Sequence, residues 1–402
     1  MSFVLGMAYI AKLRRVTESR LLQSPYLSEL LSESIPLINE MTATEIRQLT
    51  KSALIINQNF PKLKLNPQIF KLVNRRILLL GISHDVIATI TSLSHIKRAR
   101  QDGGPPLLAP ATVSALLTQH HLLSAFDKCD LVSVLSRLGL RPTGVFLFTL
   151  KDVETLGLGE NSSGRICGAI IALGKLELDS PTLSALLALL PSRLTTLSTR
   201  ELANVLYACA LAGAGDSLFI SQVLRQLERK KSDISLASMN QIAMTSTDHS
   251  GSSFSDKCVA LCESGEWKNV HSTSKAQSSI SNALDSLGIS SPLVREEFAV
   301  GPFLLDFAFP YLKLGIEIQG PFHYYHGTMN ATAKTKFKRT KLESLGWRIA
   351  EIDYMQLKSE GDKVKLVDRI VRKALNPNEF EEGVHREKLL TLLNRLARTS
   401  IV

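Results

Sequence analysis

A short apolar phrase recurs along much of the chain and restricts the possible folds more than any other feature. Its copies lie at residues 131–139, 166–174, 202–209 and, more weakly, 241–244, with more distant copies at 46–54 and 86–93. The anchors of the clearest copies, about 35 to 36 residues apart, are Leu135, Ile170, Leu206 and Ile242. A period of this length is typical of a helix–turn–helix unit, which buries its apolar face by stacking on neighbouring units. We therefore predict a solenoid-like α-helical repeat region over residues 25–265; the alternative is an irregular helical domain.

The composition is that of a folded protein with a basic surplus. Of the 402 residues, 45% are hydrophobic and 21% are charged, and the formal net charge is +10. Such a surplus favours polyanionic partners, for example nucleic acid or anionic lipid. The five cysteines lack the spacing of a zinc site, and their odd number argues against a disulfide framework. No apolar run is long enough for a transmembrane helix, so we expect no membrane span.

The first residues, 1–22, have the pattern of an organellar presequence. Four basic residues stand against the single acid Glu18, and apolar residues recur among them at near-helical spacing. An acid-poor, arginine-bearing amphipathic segment is typical of such presequences. We therefore predict a mitochondrial protein, with a plastid location as the alternative. The other interpretation of this segment is an ordinary first helix with a basic face.

Residues 266–376 follow a different pattern, in which strands and helices alternate. A helix capped by Ser272 or Thr273 begins this segment, and Gly288 ends that helix. The predicted strands span residues 294–300, 303–309, 312–318 and 347–353, and the later helices span residues 328–345 and 363–374. The order αβββαβα predicts a compact α/β domain. The fold class is thus α followed by α/β, and we assign residues 377–402 to a C-terminal helical tail.

Two acidic residues in the predicted hairpin form a candidate catalytic site. If the turn lies at Pro310-Tyr311, Asp306 lies across from position 315 and diagonal to Glu317, with Gln319 on the same face. Two carboxylates at this distance can share Mg²⁺, which activates water for phosphodiester hydrolysis. The candidate metal ligands are Asp306 and Glu317, and the candidate catalytic residues are Asp306, Glu317, Gln319 and His323. Alternatively, Asp306 accepts backbone N–H groups at the hairpin and His323 is structural.

The helix that follows is the clearest electrostatic feature of the chain. Its cations, for which we expect no neighbouring acid, are Lys334, Lys336, Lys338, Arg339 and Lys341. A phosphate backbone would relieve the repulsion among them, although a charged run is often only a solvated helix face. Phe322, Tyr324, Tyr325 and His326 precede the helix and can stack on bases. We therefore predict that these two tyrosines and five cations bind RNA.

Together these residues resemble the RAP domain over about residues 295–372. The resemblance rests on Asp306, on Glu317-x-Gln319, on Gly320-Pro321-x-His323-Tyr324, on the basic helix and on Leu342-x-x-Leu345-Gly346-Trp347. That domain is similar to the PD-(D/E)XK endonuclease fold, especially to very-short-patch repair endonucleases, so the resemblance implies a small restriction-endonuclease-like domain.

The repeats strengthen the resemblance. Their phrase at residues 202–208 resembles the helical repeats found before RAP domains in organellar RNA-processing proteins. This implies single-stranded RNA binding, a mitochondrial or plastid location, and a role in RNA maturation, RNA stability or ribosome assembly.

One departure from the nuclease pattern bears on activity. Gln319 stands where a PD-(D/E)XK site has lysine, and loss of one such electrostatic group commonly costs about 10²–10³ in rate. This favours binding over cleavage, and whether the chain is an enzyme stays open.

Three hypotheses follow for the whole chain. The first is an organellar RNA-binding protein whose repeats cradle, and whose RAP domain clamps, an rRNA or mRNA, with ribosomal or RNA-processing proteins as further partners. The second is a ribonuclease that uses Asp306, Glu317 and Gln319 and needs Mg²⁺, the one cofactor we consider. The third is a structural subunit of a mitoribosome or another large complex.

Overall fold

A computed structural model describes residues 36–59, 67–95, 110–142, 147–159, 162–178, 180–246, 253–263, 274–359 and 362–375. The chain divides into two compact units, Met1–Leu190 and Pro191–Val402. The predicted presequence (1–22) and C-terminal tail (377–402) lie outside the described residues. The predicted boundary between the repeats and the α/β domain, near residue 265, stays a prediction.

The first unit is a stack of helices, which confirms the predicted helical repeats. Its helices are α1 (Ala43–Asn59), α2 (Pro67–Leu80), α3 (His84–His95), α4 (Pro110–Thr118), α5 (Ala125–Leu138), α6 (Leu150–Leu158), α7 (Ser163–Leu176) and α8 (Ser180–Ala188). Alternate helices pack side by side in chain order, so that α1 contacts α3, α3 contacts α5, and α5 contacts α7.

The second unit begins with helices of the same kind. These are α9 (Thr199–Ala212), α10 (Ser217–Arg229), α11 (Leu236–Ser246) and α12 (Ser253–Glu263), and α11 packs between α9 and α12.

Polar bonds between neighbouring repeats hold them in register. Arg47 pairs with Asp85 at 2.8 Å, 38 residues along the chain, and the Arg76 side chain donates to the carbonyl of Met41, 35 residues back. In the second unit, the Gln241 amide donates to Asn204, 37 residues away. Bonds at this separation join equivalent parts of successive helix pairs, so the repeat period is a property of the fold.

The caps of the repeat helices correct the predicted register of the repeat. Helices α5, α7 and α9 follow the N-cap residues Ser124, Ser162 and Ser198, and their left-handed C-cap residues are Gly139, Glu177 and Gly213. Gly139 is therefore equivalent to Glu177, whereas the apolar phrase had aligned it with Gly174. The sequence pattern was misleading because Gly174 lies inside α7, and a glutamate takes the position that glycine usually fills.

This difference predicts opposite effects for two substitutions at equivalent caps. Glu177 adopts a φ of 51°, which strains a side chain with a Cβ, whereas Gly213 adopts a φ of 61° with open space around its Cα. We expect Glu177→Gly to raise and Gly213→Ala to lower the free energy of unfolding by about 1 kcal/mol each. Urea unfolding of the full chain measures both changes, and a loss of stability in Glu177→Gly would contradict the assignment.

The rest of the second unit is a small mixed α/β domain, as predicted. Its elements are α13 (Lys275–Ser286), β1 (Arg295–Val300), β2 (Phe303–Phe309), β3 (Leu314–Gln319), α14 (Ala333–Ser344), β4 (Arg348–Asp353), α15 (Tyr354–Ser359) and α16 (Lys363–Leu375). The sheet order is β1-β2-β3-β4. The first two pairs are antiparallel, and β3 and β4, which α14 connects, are parallel.

Two starting points differ from the prediction. Helix α13 is capped by Ser274, which forms a capping box with Gln277, and α14 begins after its N-cap Thr332 rather than at Thr328. Residues 328–332 instead form an irregular segment before α14, in which Ala331 forms an isolated β-bridge with Tyr324.

Both faces of the sheet are covered, and this explains why every residue of β3 is buried. Ile316 and Ile318 belong to the core that α13 and α16 complete, whereas Leu342 of α14 packs with Phe303 and Trp347 in a second core. Helices α14 and α16 therefore lie on opposite faces of the sheet.

A glycine in β3 allows close packing at the second core. A Cβ built on Gly315 would lie 2.8 Å from Leu305 Cδ2 and 3.1 Å from Ile349 Cδ1. We expect Gly315→Ala to lower the free energy of unfolding by about 1–3 kcal/mol, because the neighbouring side chains must leave their packed positions. Thermal or urea unfolding tests this, and an unchanged midpoint would show that the Leu305 and Ile349 side chains move aside without a cost in stability.

Candidate nucleic-acid interface

The hairpin register places the predicted acidic residues differently from the sequence-based expectation. Phe307 pairs with Ile316 and Ala308 pairs with Gly315, so the same register places Asp306 opposite Glu317. The predicted pairing of Asp306 with position 315 is therefore wrong. The reason is the turn, a 3₁₀ segment at Pro310–Leu312 followed by Lys313 in the left-handed region.

Asp306 is held by donors from its own domain. Its Oδ1 accepts a hydrogen bond from Gln277 Nε2 of α13 at 2.9 Å, and its Oδ2 accepts from the backbone N–H of Ile318 at 2.7 Å. The carboxylate thus replaces a main-chain partner for β3 where the β2–β3 ladder ends, and joins α13 to the sheet. This is the structural role that the sequence had left as an alternative.

Glu317 forms a buried ion pair with a lysine of α14. Lys338 Nζ donates to Glu317 Oε2 at 2.5 Å and to the carbonyl of Leu304 at 2.6 Å. Burial raises the pKa of Glu317 to about 7, while the nearby Lys338 lowers it and Asp306 raises it. Lys338 was predicted to contact RNA, but in the structure its ammonium group points into the domain.

The two carboxylates as arranged do not fit Mg²⁺. Mg²⁺ requires several oxygen ligands in near-octahedral geometry. Both oxygens of Asp306 already accept N–H groups, and the ammonium of Lys338 lies against Glu317, where it repels a cation. Within the described ranges, no group of three or more His, Cys, Asp or Glu residues could hold a metal. The structure therefore offers no support for the predicted metal ligation.

Glu351 on β4 completes a polar cluster that the sequence did not suggest. It pairs with Glu317 in the parallel ladder, accepts from Gln319 Nε2 at 3.2 Å, and lies 3.3 Å from an Arg339 nitrogen. Glu317 Oε1 and Gln319 Oε1 are buried and have no hydrogen-bond partner among the described residues. Both residues line a cavity of about 20 Å³, which has room for one water molecule.

A periodic signal in the sequence could have revealed that Lys338 points into the domain. Lys338 precedes the core residue Leu342 by four positions, so helical spacing puts both on the inward face of α14.

The predicted row of five unpaired cations on α14 needs correction. Lys338 and Arg339 pair with Glu317 and Glu351, and Lys341 is buried with its Nζ 5.4 Å from the centroid of the Phe337 ring. Of the five, Lys336 is half-buried and Lys334 is exposed. Helix α14 thus directs its cations both into the domain and towards solvent.

A family model matches residues 316–370. That family is the RAP domain. The match spans β3 to α16 and confirms the resemblance seen in the sequence, and it suggests an RNA-binding function. No curated protein matches the chain. Among the described residues, no helix is both long and apolar enough to cross a membrane.

The aromatic rings in the loop before α14 differ in their exposure to solvent. Tyr325 is buried, and its hydroxyl accepts a hydrogen bond from the backbone N–H of Ala333 at 3.2 Å, so this ring has no free face for a base. Tyr324 is half-buried, with its ring centroid 6.2 Å from that of Tyr354. Phe322, in contrast, is 63% exposed.

His323 lies between this loop and α14. Its Nδ1 is 3.4 Å from the Thr335 hydroxyl, and burial, followed by the charge of Lys338, lowers its pKa. The imidazole is therefore biased towards its neutral form. The structure brings His323, Glu317 and Gln319 to one cavity of the RAP domain, while Asp306 bonds to α13.

The buried ion pair makes a stability prediction for the RAP domain. Lys338→Met leaves Glu317 buried without its cation, so we expect the free energy of unfolding to fall by about 3–5 kcal/mol. The double variant Glu317→Gln/Lys338→Met removes both charges and should recover much of that loss. Urea unfolding of the two variants decides this, and equal stability of the single and double variants would count against the pair.

The raised pKa of Glu317 makes a second prediction. Because the folded pKa of about 7 lies above the ordinary glutamate pKa of 4.5, the folded state binds more protons between these pH values. The contribution of Glu317 to stability should therefore decrease as the pH rises from about 4.5 to 7. The difference in unfolding free energy between wild type and Glu317→Gln, measured across this range, should shift against wild type. A difference in unfolding free energy that stays constant across this pH range would contradict the raised pKa of Glu317.

Proposed function

We propose that this protein binds single-stranded RNA, with the helical repeats cradling the strand and the RAP domain clamping it. The observation that carries the proposal is the RAP domain match over residues 316–370. The net charge of +10 supports this proposal, because contacts between basic side chains and phosphates dominate the affinity of proteins for nucleic acid. Stacked helix pairs add an extended surface suited to a strand.

The geometry around Glu317 favours binding without cleavage. A metal-assisted nuclease requires carboxylates that are free to hold the ion. Here Asp306 joins α13 to β3, and Glu317 is paired with Lys338. In our proposal the domain keeps these acids for stability, and no observation among the residues that the structure describes favours the ribonuclease alternative.

We place this activity in an organelle, the mitochondrion first and the plastid as the alternative, in RNA processing, RNA stability or ribosomal RNA maturation. Residues 1–22, with their basic and acid-poor composition, support this location. The RNA would be an rRNA or mRNA, and ribosomal or RNA-processing proteins are further proposed partners. Microscopy of a fluorescent fusion with and without residues 1–22 tests the location, and a fusion that is excluded from both organelles would refute it.

Lys334 and Lys336 of α14 provide the test of RNA binding. We expect Lys334→Gln/Lys336→Gln to weaken binding of labelled single-stranded RNA. The slope of the logarithm of the binding constant against the logarithm of the salt concentration should decrease in magnitude by about 0.7 for each lost phosphate contact. The control is Lys365→Gln, which removes a single charge from a side chain that is 81% exposed on α16, across the sheet from α14.

Fluorescence anisotropy across a salt series measures affinity and slope together. Failure of the wild-type protein to bind single-stranded RNA would refute the proposed function. Equal salt slopes for wild type, the double lysine variant and the Lys365→Gln control would instead show that α14 is not part of the interface.

A further inference from the structure

We propose that a groove beside the N-terminal turn of α14 holds one nucleotide of the bound RNA, with the base against Phe322 and the phosphate at Lys334. This inference rests on the proposed function and names the site where the strand is gripped. The groove lies within the second unit, between the beginning of α11, the turn before β2 and the first turn of α14.

The size of the groove suits a nucleotide. Its volume is about 540 Å³, within the range of about 300–1,000 Å³ that is usual for small-molecule sites. Its lining includes Leu236 and Asn240 of α11, Phe303 of β2, and Phe322 and Lys334 from the turn before α14 and from α14 itself. Apolar and cationic groups therefore face the same space, as a base joined to a phosphate requires.

Phe322 supplies a stacking surface that is already in position. It is the middle residue of the 3₁₀ turn Pro321–His323 and is 63% exposed. The backbone N–H of His323 donates to the carbonyl of Gly320 at 3.0 Å, and that of Thr332 donates to the carbonyl of His323 at 2.8 Å. Because both ends of the turn are bonded, little conformational entropy is lost when a base stacks on the ring.

Lys334 supplies the charge for the phosphate. It is exposed on the first turn of α14, and no ion pair joins it to an acid among the described residues. Partial desolvation, followed by the charge of Lys338 one turn away, lowers the pKa of Lys334. A phosphate at this point relieves that repulsion, whereas a neutral apolar ligand does not. The groove therefore fits a nucleotide better than an apolar peptide.

The test combines a protein variant with a change in the RNA. The probe is a set of short labelled single-stranded RNAs, each lacking one base, titrated against the full chain by fluorescence anisotropy. For wild type, we expect loss of one particular base to weaken binding about tenfold, since stacking of a base on an aromatic ring has roughly this effect. In Phe322→Ala, binding of intact RNA should be about tenfold weaker, and loss of that same base should have no further effect.

Two further variants separate stacking from general damage. Phe322→Tyr keeps an aromatic ring and should bind as wild type does. Met329→Ala removes an apolar side chain that is 53% exposed in the same loop but does not line the groove, so it should not change affinity. If loss of each base weakens RNA binding by Phe322→Ala and by wild type equally, the nucleotide site is refuted while RNA binding stands. If wild type binds none of the RNAs, the proposed function itself fails.

Discussion

The ion pair between Lys338 and Glu317 determines what the α/β domain can do. Lys338 reaches from α14 into the sheet, where it contacts Glu317 at 2.5 Å and the carbonyl of Leu304 at 2.6 Å. A buried carboxylate is costly unless it is paired, so this contact fixes the helix against β2 and β3. With Lys338 directed inward, Lys334 one turn earlier lies at the groove, and the acid that a nuclease would offer to a metal is engaged.

The repeats and the α/β domain reach stability by different means. Successive helix pairs are joined by bonds between residues 35 to 43 positions apart, such as the contact between His84 and Asp127, so each pair depends on its neighbours. The α/β domain instead buries β3 between two cores, and Gly315 allows the strands to approach closely. In the proposed function, the stacked repeats cradle the RNA strand and the compact domain clamps it.

Much of the fold could be predicted because apolar periodicity distinguishes helices from strands along the chain. The order αβββαβ followed by a last helix and the bounds of β2 at Phe303–Phe309 were predicted correctly, but the short helix α15 between β4 and α16 was missed. The hairpin register was not, because it depends on Lys313 adopting a positive φ, which its residue type does not indicate. The site was predicted less well, since the direction of a side chain such as Tyr325 or Lys338 depends on tertiary contacts that spacing alone leaves open.

The most direct test of a metal-free RNA clamp is the affinity of the full wild-type chain for single-stranded RNA with Mg²⁺ and with EDTA. Because Lys338 is paired with Glu317, the protein should bind the RNA equally tightly in both conditions. Binding should depend strongly on salt, and the RNA should stay intact. Binding that requires Mg²⁺, or cleavage that appears with Mg²⁺ and is lost in Asp306→Asn, would contradict the metal-free clamp and restore the nuclease hypothesis.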